Sequence, residues 1–295
     1  MQLDVPDRDY MYSGHVGCPG CGAAVAMKFV LKALGDKTIM VLPACCWSII
    51  AGPYPQSTLQ IPVIHSAFET GGAVASGVRA ALDARGDSET CVVTWAGDGG
   101  TFDIGFQALS GAVERNEDFI YVCYDNEAYM NTGVQRSSST PYGAWTTTTP
   151  GREWKKMRKK NIVEALVAHR IPYAATASIA YPEDLTRKVA KARSIRGSRF
   201  LHVFASCPTG WRMPSEMAVK IARMAVQTNI FPLYEVENGS KYTINFMPKG
   251  YPVKEYFRLQ GRFKHLTEQD LDQIQAMVEE DWQLLLRKAG VPPQS

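Results

Sequence analysis

At 295 residues, 45% of them hydrophobic and 21% charged, the chain is long enough to bury a full α/β core. A formal net charge of +3 is near neutral for this size and gives no reason to invoke nucleic acid, and no apolar stretch approaches the length that spans a bilayer. The seven cysteines, with no apolar leader and no paired disulfide pattern, are expected as reduced thiols used as ligands in a soluble, cytoplasmic protein.

In chain order, Cys18-Pro19-Gly20-Cys21 comes first, two thiols bracketing a tight turn, followed by a helix expected over Ala23–Leu34. Cys46 follows Cys21 after twenty-four intervening residues, and Cys207 precedes Pro208 at the expected end of a later strand. A four-thiolate set of Cys18, Cys21, Cys46 and Cys207 suits either Zn²⁺ or an iron–sulfur cluster, and spacing alone leaves both open. Cys91 and Cys123 fall inside predicted strands, where free cysteine serves as packing. Residues up to about Ser48 are read as a cluster-binding arm and residues from Val63 to about Arg136 as a cofactor sheet. Within the latter, His65 ends a strand-like run and Glu69 lies just beyond it.

The central unit is clearer. Cys91–Trp95 is a β-branched apolar run ended abruptly by Gly97-Asp98-Gly99-Gly100. Helical spacing follows from Phe102 through Val113, and a second apolar run, Phe119–Tyr124, ends in Asp125-Asn126. A β-α-β unit of this kind sets the glycine turn and the helix start at the carboxyl edge of a parallel sheet, where backbone N–H groups favour a phosphate. Asp98 would repel a bare diphosphate, so a hard divalent cation between them is the natural resolution, with Asn126 on the neighbouring strand as a second oxygen donor.

Downstream, Ser137–Arg152 is a polar loop too long for an ordinary connector. The run Arg152–Lys160 reads as mainly solvated charge, docking of an acidic electron carrier being the functional alternative. Helix–strand units are expected over Ile162–Ala175 and Leu185–Phe204. Residues 230–295 are expected as a C-terminal arm and helix packed on a partner, with the helix over Glu268–Lys288, beyond a domain over residues 1–229 that includes the cofactor sheet and the cluster segments.

Gly97-Asp98-Gly99 followed by Asn126 resembles the thiamin diphosphate motif. With the cysteines and the stretch Tyr129–Trp145, the chain resembles the beta subunit of the pyruvate:ferredoxin oxidoreductase (2-oxoacid:ferredoxin oxidoreductase, pyruvate synthase) family over most of its length. The resemblance implies an α/β, doubly wound, mostly parallel sheet of the thiamin diphosphate-binding type, with an N-terminal iron–sulfur arm and a C-terminal subunit-contact arm. It assigns Asp98, Asn126 and the carbonyl of Ala128 to Mg²⁺, and lets Gly97, Gly99 and Gly100 bring the backbone to the diphosphate. It places Asn131 facing the reacting carbon and His65 near the cofactor, and gives Cys18, Cys21, Cys46 and Cys207 to a [4Fe–4S] cluster. Cys46 rather than Cys45 fits the family spacing. Some relatives carry Glu two positions after the second cysteine, where this chain has Ala23.

The implied activity is CoA-dependent oxidative decarboxylation of pyruvate to acetyl-CoA and its reverse, with oxalate or a branched or aromatic 2-oxo acid as alternatives. The implied partners are alpha, gamma and delta-type subunits and ferredoxin, because the chain has no two-cluster ferredoxin motif and the pyrimidine-activating glutamate lies on the alpha subunit in this family. Two readings from other classes share part of the motif set: a zinc-stapled, non-oxidative thiamin decarboxylase and a non-catalytic electron-transfer subunit.

Overall fold

A computed structural model describes residues 3–292. Among the described residues eight strands form one sheet: β1 (Thr38–Pro43), β2 (Val63–Ser66), β3 (Cys91–Gly97), β4 (Phe119–Asp125), β5 (Tyr173–Ser178), β6 (Ser198–Phe204), β7 (Tyr234–Glu237) and β8 (Lys241–Ile244). The order across the sheet is β2-β1-β3-β4-β6-β5-β7-β8. The first six are parallel to one another, and β7 and β8 add antiparallel at the edge. The α-helices of the described residues connect and cover them: α1 (Gly22–Leu34), α2 (Trp47–Ile50), α3 (Gly71–Ala84), α4 (Phe106–Glu114), α5 (Ile162–Val167), α6 (Pro182–Ser194), α7 (Pro208–Trp211), α8 (Ala218–Gln227), α9 (Lys254–Phe257) and α10 (Glu268–Lys288).

Strand side chains alternate between two separate cores, as the two-residue period of a strand requires. Met40, Val93, Trp95, Ile120 and Val122 face a core shared with α1, α6 and α8. Val41, Val92, Phe119, Tyr121 and Cys123 face the opposite core, shared with α4, α5 and α10. Burial on both faces explains the near-continuous apolar runs of the central strands. It also gives Cys91 and Cys123 the packing role expected of them, since both are buried.

The expected β-α-β unit is present as β3, α4 and β4, with one difference. The helix expected from Phe102 opens instead with a π-helical turn over Gly99–Ile104, and α4 begins at Phe106. The wide turn is tied by Thr101 Oγ1 donating to the Gly97 carbonyl at 2.8 Å. It also needs Gly105, where an added Cβ would sit 2.1 Å from the Gly100 carbonyl oxygen.

The terminal helix spans Glu268–Lys288 as expected, held at its start by a Thr267/Asp270 capping box and burying Leu271, Ile274, Trp282, Leu285 and Leu286. The segment 230–260, expected as an arm, instead contributes β7 and β8 to the chain's own sheet. Among the described residues no helix is long and apolar enough to cross a membrane.

The chain leaves β1 for β2 on one side and returns to β3 on the other. The crevice between the carboxyl ends of β1 and β3 is therefore the switch point at which α/β sheets of this kind bind ligands. Cys45 and Cys46 follow β1 there, and Asp98 follows β3.

Candidate cofactor and metal site

At the switch point lies a cavity of about 110 Å³ whose lining includes Cys46, Phe68, Gly97 to Gly100, Asn126 and Ala128. Asn131 lies at its rim, exposed. Gly99 admits the approach of the Tyr129 ring, since a Cβ there would lie 2.4 Å from it. Tyr129 is held by its hydroxyl donating to Asp103 Oδ2 at 3.0 Å and by an edge contact with Phe68. A second cavity, of about 200 Å³, is lined by Lys159, His202, Phe231 and Leu285 but by no glycine, so the diphosphate cradle is assigned to the smaller one.

Asp98 is buried, and Ser137 Oγ donates to its Oδ2 at 2.5 Å. Burial, then the charge on Asp125, pushes its carboxyl well above the usual carboxylate range. The amide end of Asn126 lies 2.9 Å from Asp98 Oδ1 and 3.0 Å from the Ala128 carbonyl oxygen. With its nitrogen inward, Asn126 donates to both; with its oxygen inward, three oxygens from the three expected positions converge with no proton between them. That donor set fits a hard divalent cation, which takes one or two side-chain oxygens together with phosphates.

Cys45 and Cys46 line the other wall, with the Cys21 and Cys207 segments behind them. Cys21 N–H donates to the Cys18 carbonyl at 3.0 Å, closing the Cys-Pro-Gly-Cys turn, and Cys21 immediately precedes α1. Gly22 lies against the Ser206 backbone, where a Cβ would fall 2.6 Å from Ser206 N and O, and this close approach brings Cys21 beside the Cys207 segment. Cys207 caps α7 and its Sγ accepts from Gly210 N–H at 3.4 Å. Burial, and after it the neighbouring Cys45, Cys207 and Cys21, pushes the Cys46 thiol up to about 12. Burial, with Cys21 and Cys18 adding to it, holds Cys207 at about 11. The thiols thus sense one another, and a bound cation would favour their ionised forms. As the side chains stand, no group of three or more His, Cys, Asp or Glu among the described residues is placed to hold a metal ion.

His65 and Glu69 lie outside the cradle lining; both are exposed, His65 on the edge strand β2.

The feature that sequence reasoning missed is a buried charge network behind Asn126. The Asp125 carboxylate accepts from Lys159 Nζ at 2.6 Å and Ser139 Oγ at 2.7 Å, and pairs with His202 Nε2 at 2.7 Å. Glu127 adopts a left-handed conformation (φ 67°) between Asn126 and Ala128. Its carboxylate accepts from Lys159 at 3.0 Å and from Arg262 Nη2 at 2.5 Å. Burial works to raise the Asp125 pKa, yet Lys159 and His202 outweigh it and hold the carboxyl far below its ordinary value. Burial lowers the pKa of His202, favouring the neutral ring.

The basic run 152–160 is accordingly not a uniformly solvated face. Lys155 is buried, donating to the Ser138 carbonyl at 3.0 Å and to that of Thr140, and Lys159 is turned into the network. The polar loop before it supplies Ser137, Ser139 and Thr140 to the same buried cluster. Lys159→Met would leave two buried carboxylates short of a cation, so it is expected to destabilise the chain by about 3–5 kcal/mol. Denaturant unfolding of wild type and variant checks this, and a change below about 1 kcal/mol, the range of an exposed ion pair, would contradict it.

Comparison with known proteins agrees with this architecture. Residues 45–203, more than half of the chain, match the family model of the thiamine pyrophosphate enzyme C-terminal TPP binding domain. Over 303 aligned positions the chain is 54% identical to the ketoisovalerate oxidoreductase subunit VorB of Pyrococcus furiosus, covering 98% of this chain and 96% of that one. It is 50% identical over 281 positions to the pyruvate synthase subunit PorB of Methanothermobacter marburgensis, covering 94% and 97%. Among solved structures, the 2-oxoglutarate:ferredoxin oxidoreductase from Magnetococcus marinus shares the fold, with a TM-score of 0.58 at 23% identity over 75% of this chain and 84% of that one. With a thiamin-type domain on a doubly wound sheet and relatives this similar along nearly their whole length, the chain belongs to the beta-subunit family of the 2-oxoacid:ferredoxin oxidoreductases.

Proposed function

We propose that this chain is the thiamin diphosphate- and [4Fe–4S]-binding subunit of a CoA-dependent 2-oxoacid:ferredoxin oxidoreductase, working in the cytoplasm with alpha, gamma and delta-type subunits. The net reaction is R–CO–COO⁻ + CoA–SH → R–CO–S–CoA + CO₂ + H⁺ + 2 e⁻, the electrons passing to ferredoxin, and it is reversible. The observation that carries the reading is one wall shared by two chemistries: Cys46 lines the same cavity as Asp98, Asn126 and Ala128. When bound, thiamin diphosphate supplies a nucleophilic carbon and electron sink for a 2-oxo acid, and an iron–sulfur cluster accepts electrons singly.

The chain's own residues do the positioning. Asp98, Asn126 and the Ala128 carbonyl would hold Mg²⁺, while Gly97, Gly99 and Gly100 leave room for the diphosphate. Asn131 stands at the mouth, where a polar group meets substrate, and Phe68 and Met130 help line an apolar wall that limits water. Cys18, Cys21, Cys46 and Cys207 would hold the cluster. A zinc staple at those thiols would leave the electrons of a decarboxylated substrate without an acceptor.

Pyruvate is the first substrate reading. A branched-chain 2-oxo acid is the second, supported by 54% identity to ketoisovalerate oxidoreductase subunits against 48–50% to the pyruvate synthase subunits of methanogens. The test is anaerobic reconstitution with thiamin diphosphate, Mg²⁺, CoA and a one-electron acceptor, supplying pyruvate, 2-oxoisovalerate or 2-oxoglutarate, with and without candidate partner subunits. Acceptor reduction is expected only with a partner present, and full turnover by this chain alone would overturn the shared-site reading.

A further inference from the structure

Between the cysteine set and the metal-ligand loop runs a continuous buried connection. Trp211 closes α7, the helix that Cys207 caps, and its indole Nε1 donates to the Asn126 carbonyl at 2.8 Å. The Arg262 guanidinium lies over the Trp211 ring, 4.0 Å from its centroid, and reaches Glu127 Oε2 at 2.5 Å. Arg262 Nε is itself fixed by Gln260 Oε1 at 2.9 Å. Asn126, Glu127 and Ala128 are consecutive, so the connection holds the first residue by its carbonyl and the second by its carboxylate within the segment that presents the Asn126 and Ala128 oxygens. Gly210, next to Trp211, lies so close to Met130 of the cradle wall that a Cβ there would fall 2.2 Å from its Sδ. Trp211, Arg262 and Asn126 are all buried, so neither the hydrogen bond nor the ion pair is weakened by solvent.

We propose that Trp211 and Arg262 are positioning residues that couple the two halves of the site. They fix the Asn126–Ala128 segment in the arrangement the metal needs, and transmit to it the order of the Cys207 segment. The inference rests on the thiamin–metal reading of the cradle. By reciprocity of linkage, whatever ordering the thiolate site lends to metal binding, metal binding returns to the thiolate site.

The test uses the full chain co-expressed with its partner subunits, measuring the Mg²⁺ concentration for half-maximal thiamin diphosphate binding by calorimetry. A parallel measurement follows iron retained against a chelator, with and without cofactor. Trp211→Phe keeps an aromatic ring beneath Arg262 and removes the indole N–H along with the five-membered ring that carries it. It is expected to raise the Mg²⁺ midpoint about 3- to 10-fold, the effect of one buried hydrogen bond. In wild type, Mg²⁺ with thiamin diphosphate is expected to protect iron; in Trp211→Phe that protection is expected to be lost. If Trp211→Phe does not fold, Arg262→Lys is measured in the same way and the same direction is expected. An unchanged Mg²⁺ midpoint, or equal iron protection in variant and wild type, would overturn the coupling while Asp98→Ala still loses cofactor. Normal cofactor binding by Asp98→Ala would instead overturn the metal reading and the coupling with it.

Discussion

Asp98→Ala is expected to abolish Mg²⁺-dependent thiamin diphosphate binding while leaving the fold and the iron content in place. Asp98 is the carboxylate of the three converging oxygen donors, buried at a glycine turn where a diphosphate would approach. Losing the charged member of the set should weaken cofactor binding by more than about 100-fold, beyond the 10- to 100-fold typical of residues that only support a ligand. The fold should survive because the native site works against that charge: burial and Asp125 both push its carboxyl toward the neutral form. The hydrogen bond from Ser137 is the main contact forfeited, and that hydroxyl has Thr140 Oγ1 within 3.4 Å. Cofactor retained after gel filtration, together with iron analysis and circular dichroism, checks all three points. Wild-type thiamin affinity in the variant would remove Asp98 from the metal site.

The second large effect concerns the thiols. Cys46→Ala and Cys207→Ala are each expected to lose the iron and the electron transfer that depends on it, because three thiolates leave one iron open. Cys45→Ala is the control and is expected to retain both. The neighbours differ in their surroundings as well as in spacing. The Cys46 thiol is raised by burial and then by Cys45, Cys207 and Cys21, whereas the Cys45 thiol is raised by burial and hydrogen-bonded by Tyr124. Iron and electron-transfer assays on the three purified variants decide the point. Loss of iron from Cys45→Ala with full retention in Cys46→Ala would reverse the assignment.

Much of the site was legible because its parts lie where sequence periodicity changes. The apolar run to Trp95 breaks at consecutive glycines, and the run to Tyr124 breaks at Asp125-Asn126. Parallel pairing of β3 with β4 then brings those two breaks to one edge. The helix over Glu268–Lys288 was readable from its spacing and end residues alone. The buried network was not, because Lys155 and Lys159 sit in a run whose composition is that of a solvated surface. What turns them inward is the cluster of carboxylates and carbonyls supplied by Asp125, Glu127 and the polar loop. β7 and β8 escaped for a different reason. Each is four residues long, set among prolines and glycines, and gains its strand character only by pairing with β5 and with each other. His65 lies on a true strand, but that strand is the outermost of the sheet, and sequence gives no position across a sheet.

In the proposed function, thiamin chemistry and a one-electron acceptor meet at one cavity wall. The most direct test is the absorption spectrum of the anaerobically purified complex, with iron, zinc, magnesium and thiamin analysis, before and after a 2-oxo acid and CoA are added. A broad brown absorbance at roughly 400 nm, iron in place of zinc at the four cysteines, and bleaching on addition of substrate are expected. A colourless protein with stoichiometric zinc, no iron and bound thiamin would contradict that function.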